Sequence, residues 1–285
     1  MKRGINKIFY SQPTIDGAGV YLNRVFANAQ VPDFDPFLLL DAFGSNDKAK
    51  YLKGFPWHPH RGIETITYIQ QGKVEHKDSM GNSGVIYSGD VQWMTAGSGI
   101  IHEEMPKGDG SDAMFGFQLW ANLPASNKMM PPRYRDVRKG EIPEIVLEDG
   151  TKIKIICGTV NGTQGPVKDI VTDPEYLDVS IPANTLFSHS VKTGHTVFAF
   201  IYEGSAGFGD GDEKMMHKGT AVLFTDGDEV EIKTKEEHAK LLLISGKPIK
   251  EQIAWHGPIV MNTQQELEVA FEEFNNGTFI KDPKV

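Results

Sequence analysis

Two pairs of residues in this sequence have the types and the spacing to share one ion. His58 and His60 lie in "FPWHPHRGIETITY", and His102 and Glu104 lie in "AGSGIIHEEM". On an extended strand, residues i and i+2 project to the same face, so each pair presents both of its groups to one point. The segment between the pairs is punctuated by glycine and long enough for several strands, which can carry the chain around a small barrel and back beside its start. Three imidazoles and one carboxylate then converge in the barrel mouth. Such nitrogen and oxygen donors suit borderline divalent metals: iron, manganese, cobalt, nickel, copper or zinc. Four protein ligands leave positions open on a five- or six-coordinate ion, and open positions mean chemistry rather than a structural plug.

Two other carboxylates compete for the site. Alternation turns Glu103 away from His102 and Glu104. Glu64 follows His60 by four residues, and strand parity keeps it on the histidine face as a candidate ligand or base. His76 falls on a neighbouring strand and can line the site, but is expected to be exposed or bonded locally. His189, His195, His217, His238 and His256 stand singly and read as structural or solvent-facing. Phe55, Trp57, Trp93, Phe117 and Trp120 can wall the pocket with aromatic surface, which suits a flat aromatic substrate.

The elements that must hold these groups are strands. Thirty glycines and 16 prolines in 285 residues fit short strands joined by tight turns. Strand-like runs such as "IETITYIQ", "VQWMTA" and "MFGFQLWA" fill the first half. "EYLDVSIP", "TVFAFIYEG" and "AKLLLIS" fill the second. A Pro-rich stretch over 129–145 reads as a linker or a domain-crossing segment. The expectation is two β-barrel domains in tandem, 1–135 carrying the metal site and 136–285 ending in a helix. That helix is "TQQELEVAFEEF", opened by a Thr263–Glu266 capping box and expected to pack on a barrel without taking part in chemistry. Asn161-Gly162 and Asn276-Gly277 read as turns.

Composition narrows the function. Hydrophobic residues make up 39% and charged residues 24%, as in a packed globular protein. A net charge of −9 gives no field that attracts phosphate backbones, so direct nucleic-acid binding is not expected. The single cysteine, Cys157, cannot form an internal disulfide and reads as a small buried residue. No apolar run approaches the ~20 residues that span a bilayer, and the first residues lack a signal-peptide core. A cytoplasmic location is expected, or cytoplasm and nucleus in a eukaryote.

The segment "FPWHPHRGIETITYIQQGKVEHKDSMGNSGVIYSGDVQWMTAGSGIIHEEMP" resembles the signature of the pirin family, within the cupin superfamily. "FLLLDAFG", "FQLWANLP" and "GPIVMNTQQELEVAFEEFNNGTF" extend the resemblance over almost the whole chain. It implies an all-β fold of two tandem cupin (jelly-roll) barrels with a short C-terminal helix, the second barrel lacking a metal. It places the metal ligands on His58, His60, His102 and Glu104, and makes one divalent ion, Fe(II) first, the cofactor. Several pirins resemble quercetin 2,3-dioxygenases, which implies cleavage of quercetin or a related flavonol with O2, Glu104 acting as catalytic base. The resemblance equally allows a non-catalytic, iron-dependent redox-sensing regulator that binds a protein partner. A monomer is implied in either case.

Overall fold

The protein is described here from a computed structural model, over residues 1–108, 110, 112–209 and 214–281. It divides into two compact units, and each is discontinuous in sequence. One comprises Pro13–Arg24, Phe37–Lys139 and Ile249–Val285; the other comprises Met1–Gln12, Val25–Pro36 and Gly140–Pro248.

The unit that holds the histidine pairs is built on two antiparallel sheets. The larger has seven strands in the order Arg133–Val137, Val91–Thr95, Ile63–Gln71, Met114–Asn122, Phe37–Ser45, Val20–Phe26 and Gln12–Asp16. The smaller has four: Phe55–His60, Ile100–Lys107, Lys73–Asp78 and Ser83–Tyr87. Side chains between the sheets are apolar at one end, where Val20, Tyr51, Ile69, Val74, Ile86 and Met114 form a buried cluster. Burying such surface is worth roughly 25 cal/mol per Å2 and is the main force closing the sheets.

The Pro-rich stretch is more than a linker. Its Arg133–Val137 segment pairs with Val91–Thr95, Arg133 lying opposite Thr95 and Asp136 opposite Gln92. Proline at the start of an edge strand costs no ladder hydrogen bond, which is why "PPRYRDV" still reads as a strand to its neighbour.

The second unit centres on a sheet in which Ile5–Tyr10, Thr220–Phe224, Thr196–Phe208, Ala239–Gly246, Glu175–Ile181, Lys152–Cys157 and Glu144–Val146 are successive neighbours. Leu186–Ser190 pairs with Glu229–Lys233 to complete it. Ile153, Leu177, Phe187, Val197, Leu241 and Leu243 are among the side chains of its large core. Cys157 is buried in this unit, as its sequence context implies, with its thiol on the Val167 and Pro174 carbonyls. Asn161-Gly162 turns the short hairpin Thr159–Val160 to Thr163–Gln164, both residues having positive φ.

The expected boundary near residue 135 differs from this division at both termini. Ile5–Tyr10 satisfies the edge of Thr220–Phe224 and so joins the second unit. Residues 249–281 join the first unit, where Arg61 forms a parallel bridge with Ile259. The helix Gln264–Asn275 therefore belongs with the histidine pairs. Its capping box is formed as expected, and Leu267 and Ala270 pack with Ile259, Met261 and Phe279. Asn276-Gly277 is a turn, as expected, and it stops the helix: Gly277 has φ +73 and Thr278 N–H returns to the Glu273 carbonyl.

Candidate metal centre

Phe55–His60 and Ile100–Lys107 are antiparallel neighbours, with His58 opposite His102. Alternation on two adjacent strands therefore delivers three imidazoles to one place. One nitrogen from each of His58, His60 and His102 lies within 4.8 Å of the other two. His58 Nε2 is 3.0 Å from His60 Nε2 and 3.0 Å from His102 Nε2.

The tautomers follow from the other side of the rings. His58 Nδ1 lies 2.9 Å from the Pro56 carbonyl, and His60 Nδ1 lies 3.0 Å from the Pro258 carbonyl. A carbonyl only accepts, so both Nδ1 atoms carry the proton and both Nε2 atoms carry a lone pair. Two lone pairs facing each other at that distance repel unless a cation lies between them. Two nitrogens at right angles on an ion with bonds of ~2.1 Å stand about 3.0 Å apart. Burial lowers the basicity of His58 and holds His60 and His102 well below the usual imidazole range, the neighbouring rings adding to the effect. The rings are thus neutral at pH 7, the form that ligates metals. The donor set fits one divalent ion.

Glu104 lies on the same face two residues on, but outside that group of nitrogens. It is 8% exposed, and burial pushes its carboxyl up to about 7 against the opposing pull of the Thr67 hydroxyl. Thr67 Oγ1 reaches across from the larger sheet to sit 3.1 Å from Glu104 Oε1 and 2.7 Å from the Gln118 side-chain amide. One hydroxyl proton serves only one acceptor. Either Gln118 presents its NH2 to Thr67, or Glu104 holds a proton of its own.

His76 lies directly opposite Glu104 on Lys73–Asp78. It is buried rather than exposed, 2.9 Å from the Gln92 amide, which also donates to Asp136 at 2.8 Å. Glu103 is on the outer face near Lys77, as alternation implies. Glu64 departs from its expectation. Gly62 has φ +78 and breaks the extended run between Phe55–His60 and Ile63–Gln71, so strand parity does not carry through. Thr67 faces Glu104, and Glu64, three residues earlier, faces the other side, accepting from the Thr95 hydroxyl at 2.6 Å.

Of the aromatics expected around the site, Trp120 stands against His60, ring centroids 5.1 Å apart. Trp57 is 52% exposed beside His58. Phe55 packs into the apolar cluster instead, and Trp93 is buried on the face away from Gln92. Trp255 escaped the sequence reading; it lies 6.0 Å from Trp120, brought there by a segment nearly 200 residues from His58 along the chain.

In the second unit Leu186–Ser190 pairs with Glu229–Lys233. Phe187 lies opposite Ile232, and His189 lies opposite Val230. His189 is paired with Glu175 at 2.7 Å. Among the described residues the histidine triad is in the first unit.

The sequence matches the Pirin family over residues 19–121 and the Pirin C-terminal cupin domain over residues 176–280. A pirin-like protein of Caulobacter vibrioides is 42% identical over 278 residues, covering 97% of this chain and 99% of its own. Pirin-1 of Arabidopsis thaliana is 38% identical over 264 residues, covering 92% of this chain and 89% of its own. The crystal structure of a quercetin 2,3-dioxygenase from Acinetobacter baumannii superposes with a TM-score of 0.90 at 31% identity, covering 98% of this chain and 99% of that one. With two cupin domains in tandem and a histidine triad in the first, this chain belongs to the pirin family.

Proposed function

We propose that this chain is a metal-dependent dioxygenase that cleaves quercetin or a related flavonol with O2. The observation that carries the proposal is the convergence of three imidazoles, with the buried Glu104 carboxyl two residues on from His102 along the same strand. The quercetin 2,3-dioxygenase from Acinetobacter, which shares the fold over nearly its full length, supports the same reading.

His58, His60 and His102 hold the ion, with Glu104 as a fourth ligand. Iron in the divalent state is the ion proposed, since the donors suit borderline metals and the reaction uses O2. The ion supplies Lewis acidity toward the flavonol oxygens and a route for electrons to dioxygen. Glu104 takes the proton of the flavonol 3-hydroxyl. A carboxylate beside the ion is placed to act as the general base for that proton. Thr67 holds the Glu104 carboxylate in place through its hydroxyl. Trp120 and Trp255 form an apolar wall at His60 against which a flat ring system can lie.

The test is direct. Protein loaded with Fe(II) and mixed with quercetin in air should bleach the flavonol absorbance, consume O2 and release carbon monoxide. Loaded protein that leaves both quercetin and O2 untouched overturns the proposal.

A further inference from the structure

The C-terminal segment enters the metal-binding unit at the residues next to His60. The Pro258 carbonyl accepts from His60 Nδ1 at 3.0 Å. Arg61 and Ile259 bridge in parallel, with Val260 N–H donating to the Arg61 carbonyl at 3.1 Å. Contact at Gly62 is so close that an added Cβ would lie 2.0 Å from the Val260 carbonyl oxygen.

The Arg61 side chain binds three separate groups. Its Nε donates to the Ser98 carbonyl at 2.7 Å, Nη1 to Glu273 at 2.7 Å, and Nη2 to the Phe279 carbonyl at 2.8 Å. The guanidinium also lies over the Phe279 ring, 4.1 Å from its centroid. Arg61 is 2% exposed, so these bonds form away from water, where they are strongest. Ser98 precedes the strand that carries His102, and Glu273 belongs to the helix Gln264–Asn275. One side chain therefore ties both ligand-bearing strands to the C-terminal helix.

We infer that Arg61 and Glu273 are positioning residues for the metal centre: through them the C-terminal helix holds Pro258 against His60 and so fixes the tautomer and angle of that ligand. The inference rests on the reading of His58, His60 and His102 as a metal site. The fork geometry is essential. Three acceptors lie in three directions, and a lysine, though cationic, reaches one of them. Partners of this kind that orient a ligating histidine typically contribute ~10–100-fold to metal affinity.

The experiment is a Co(II) titration of the full-length protein, following the visible ligand-field bands, with Arg61→Lys, Glu273→Gln and Lys281→Gln beside the parent. Lys281 pairs with the other carboxylate oxygen of Glu273 and serves as the control. The parent should bind one equivalent. Arg61→Lys and Glu273→Gln should bind about 10–100-fold more weakly, with shifted bands, while keeping the parent's near-ultraviolet circular dichroism. Lys281→Gln should match the parent. Glu273 is in the last turn of the helix, 23% exposed, and glutamine keeps an acceptor oxygen for Arg61, so Glu273→Gln is the milder of the two changes. Glu273→Gln with parental affinity and bands overturns the inference. A parent that binds no Co(II) overturns the metal-site reading itself, and the inference with it.

Discussion

His60 Nδ1 and the Pro258 carbonyl are 3.0 Å apart although 198 residues separate them in the chain. That bond makes Nδ1 the protonated nitrogen of His60 and turns the Nε2 lone pair toward His58, whose own Nδ1 is held the same way by Pro56. The orientation of both rings is thus fixed by the two carbonyls behind them.

Removing a ring should empty the site. His102 is 1% exposed, and its Nε2 meets His58 Nε2 at 3.0 Å. His102→Ala should lower Co(II) or Fe(II) affinity by more than ~100-fold, since the loss of a ligand exceeds the loss of a partner that orients one. Metal content by elemental analysis after gel filtration checks this. A variant that retains one equivalent removes His102 from the centre.

Glu104 should separate chemistry from metal binding. In Glu104→Gln the Thr67 hydroxyl can still reach the side chain, but no carboxylate remains to take the flavonol proton. Turnover should fall by ~10^2–10^4-fold, the usual worth of a positioned general base. Co(II) should still bind through the three histidines. Full activity in this variant contradicts the assigned role.

Gly62 should resist any side chain. Its φ is +78, and a Cβ there would overlap the Val260 carbonyl. Gly62→Ala should cost ~2 kcal/mol or more, from backbone strain and displacement of the C-terminal strand together. A lower urea midpoint with an unchanged slope is the expected result. An unchanged midpoint shows that residues 258–260 can retreat freely.

Lys128 should give stability a dependence on pH above neutrality. Its ammonium is buried on the Gly62 and Val260 carbonyls and Asn122 Oδ1, and desolvation pushes its pKa down to about 7. The unfolded chain holds that proton up to about 10.4, so between those values the unfolded state binds more protons than the folded one. The contribution of Lys128 therefore rises with pH from about 7 to 10. The difference in urea midpoint between the parent and Lys128→Met should move in the parent's favour over that window. A difference independent of pH shows that the three acceptors keep the lysine charged throughout.

The sequence by itself determined the class of fold and the identity of the three histidines. A period of two places His58 with His60 and His102 with Glu104 on shared faces wherever the strands end up, and glycine spacing marks where they turn. A capping box needs only its own four residues, so Thr263 and Glu266 announced the helix Gln264–Asn275 as well. What was not legible depends on residues far apart in the chain. Parity misplaced Glu64 because the break is a positive φ at Gly62, and a glycine in an alternating run does not declare which sign it takes. The reach of Trp255, Pro258 and Glu273 to the centre was invisible because strand edges and carbonyls carry no sequence signal for the partner they will meet. Local patterns choose elements; only the packed structure decides which edges they satisfy, and here that choice placed residues 258–279 behind the histidine triad.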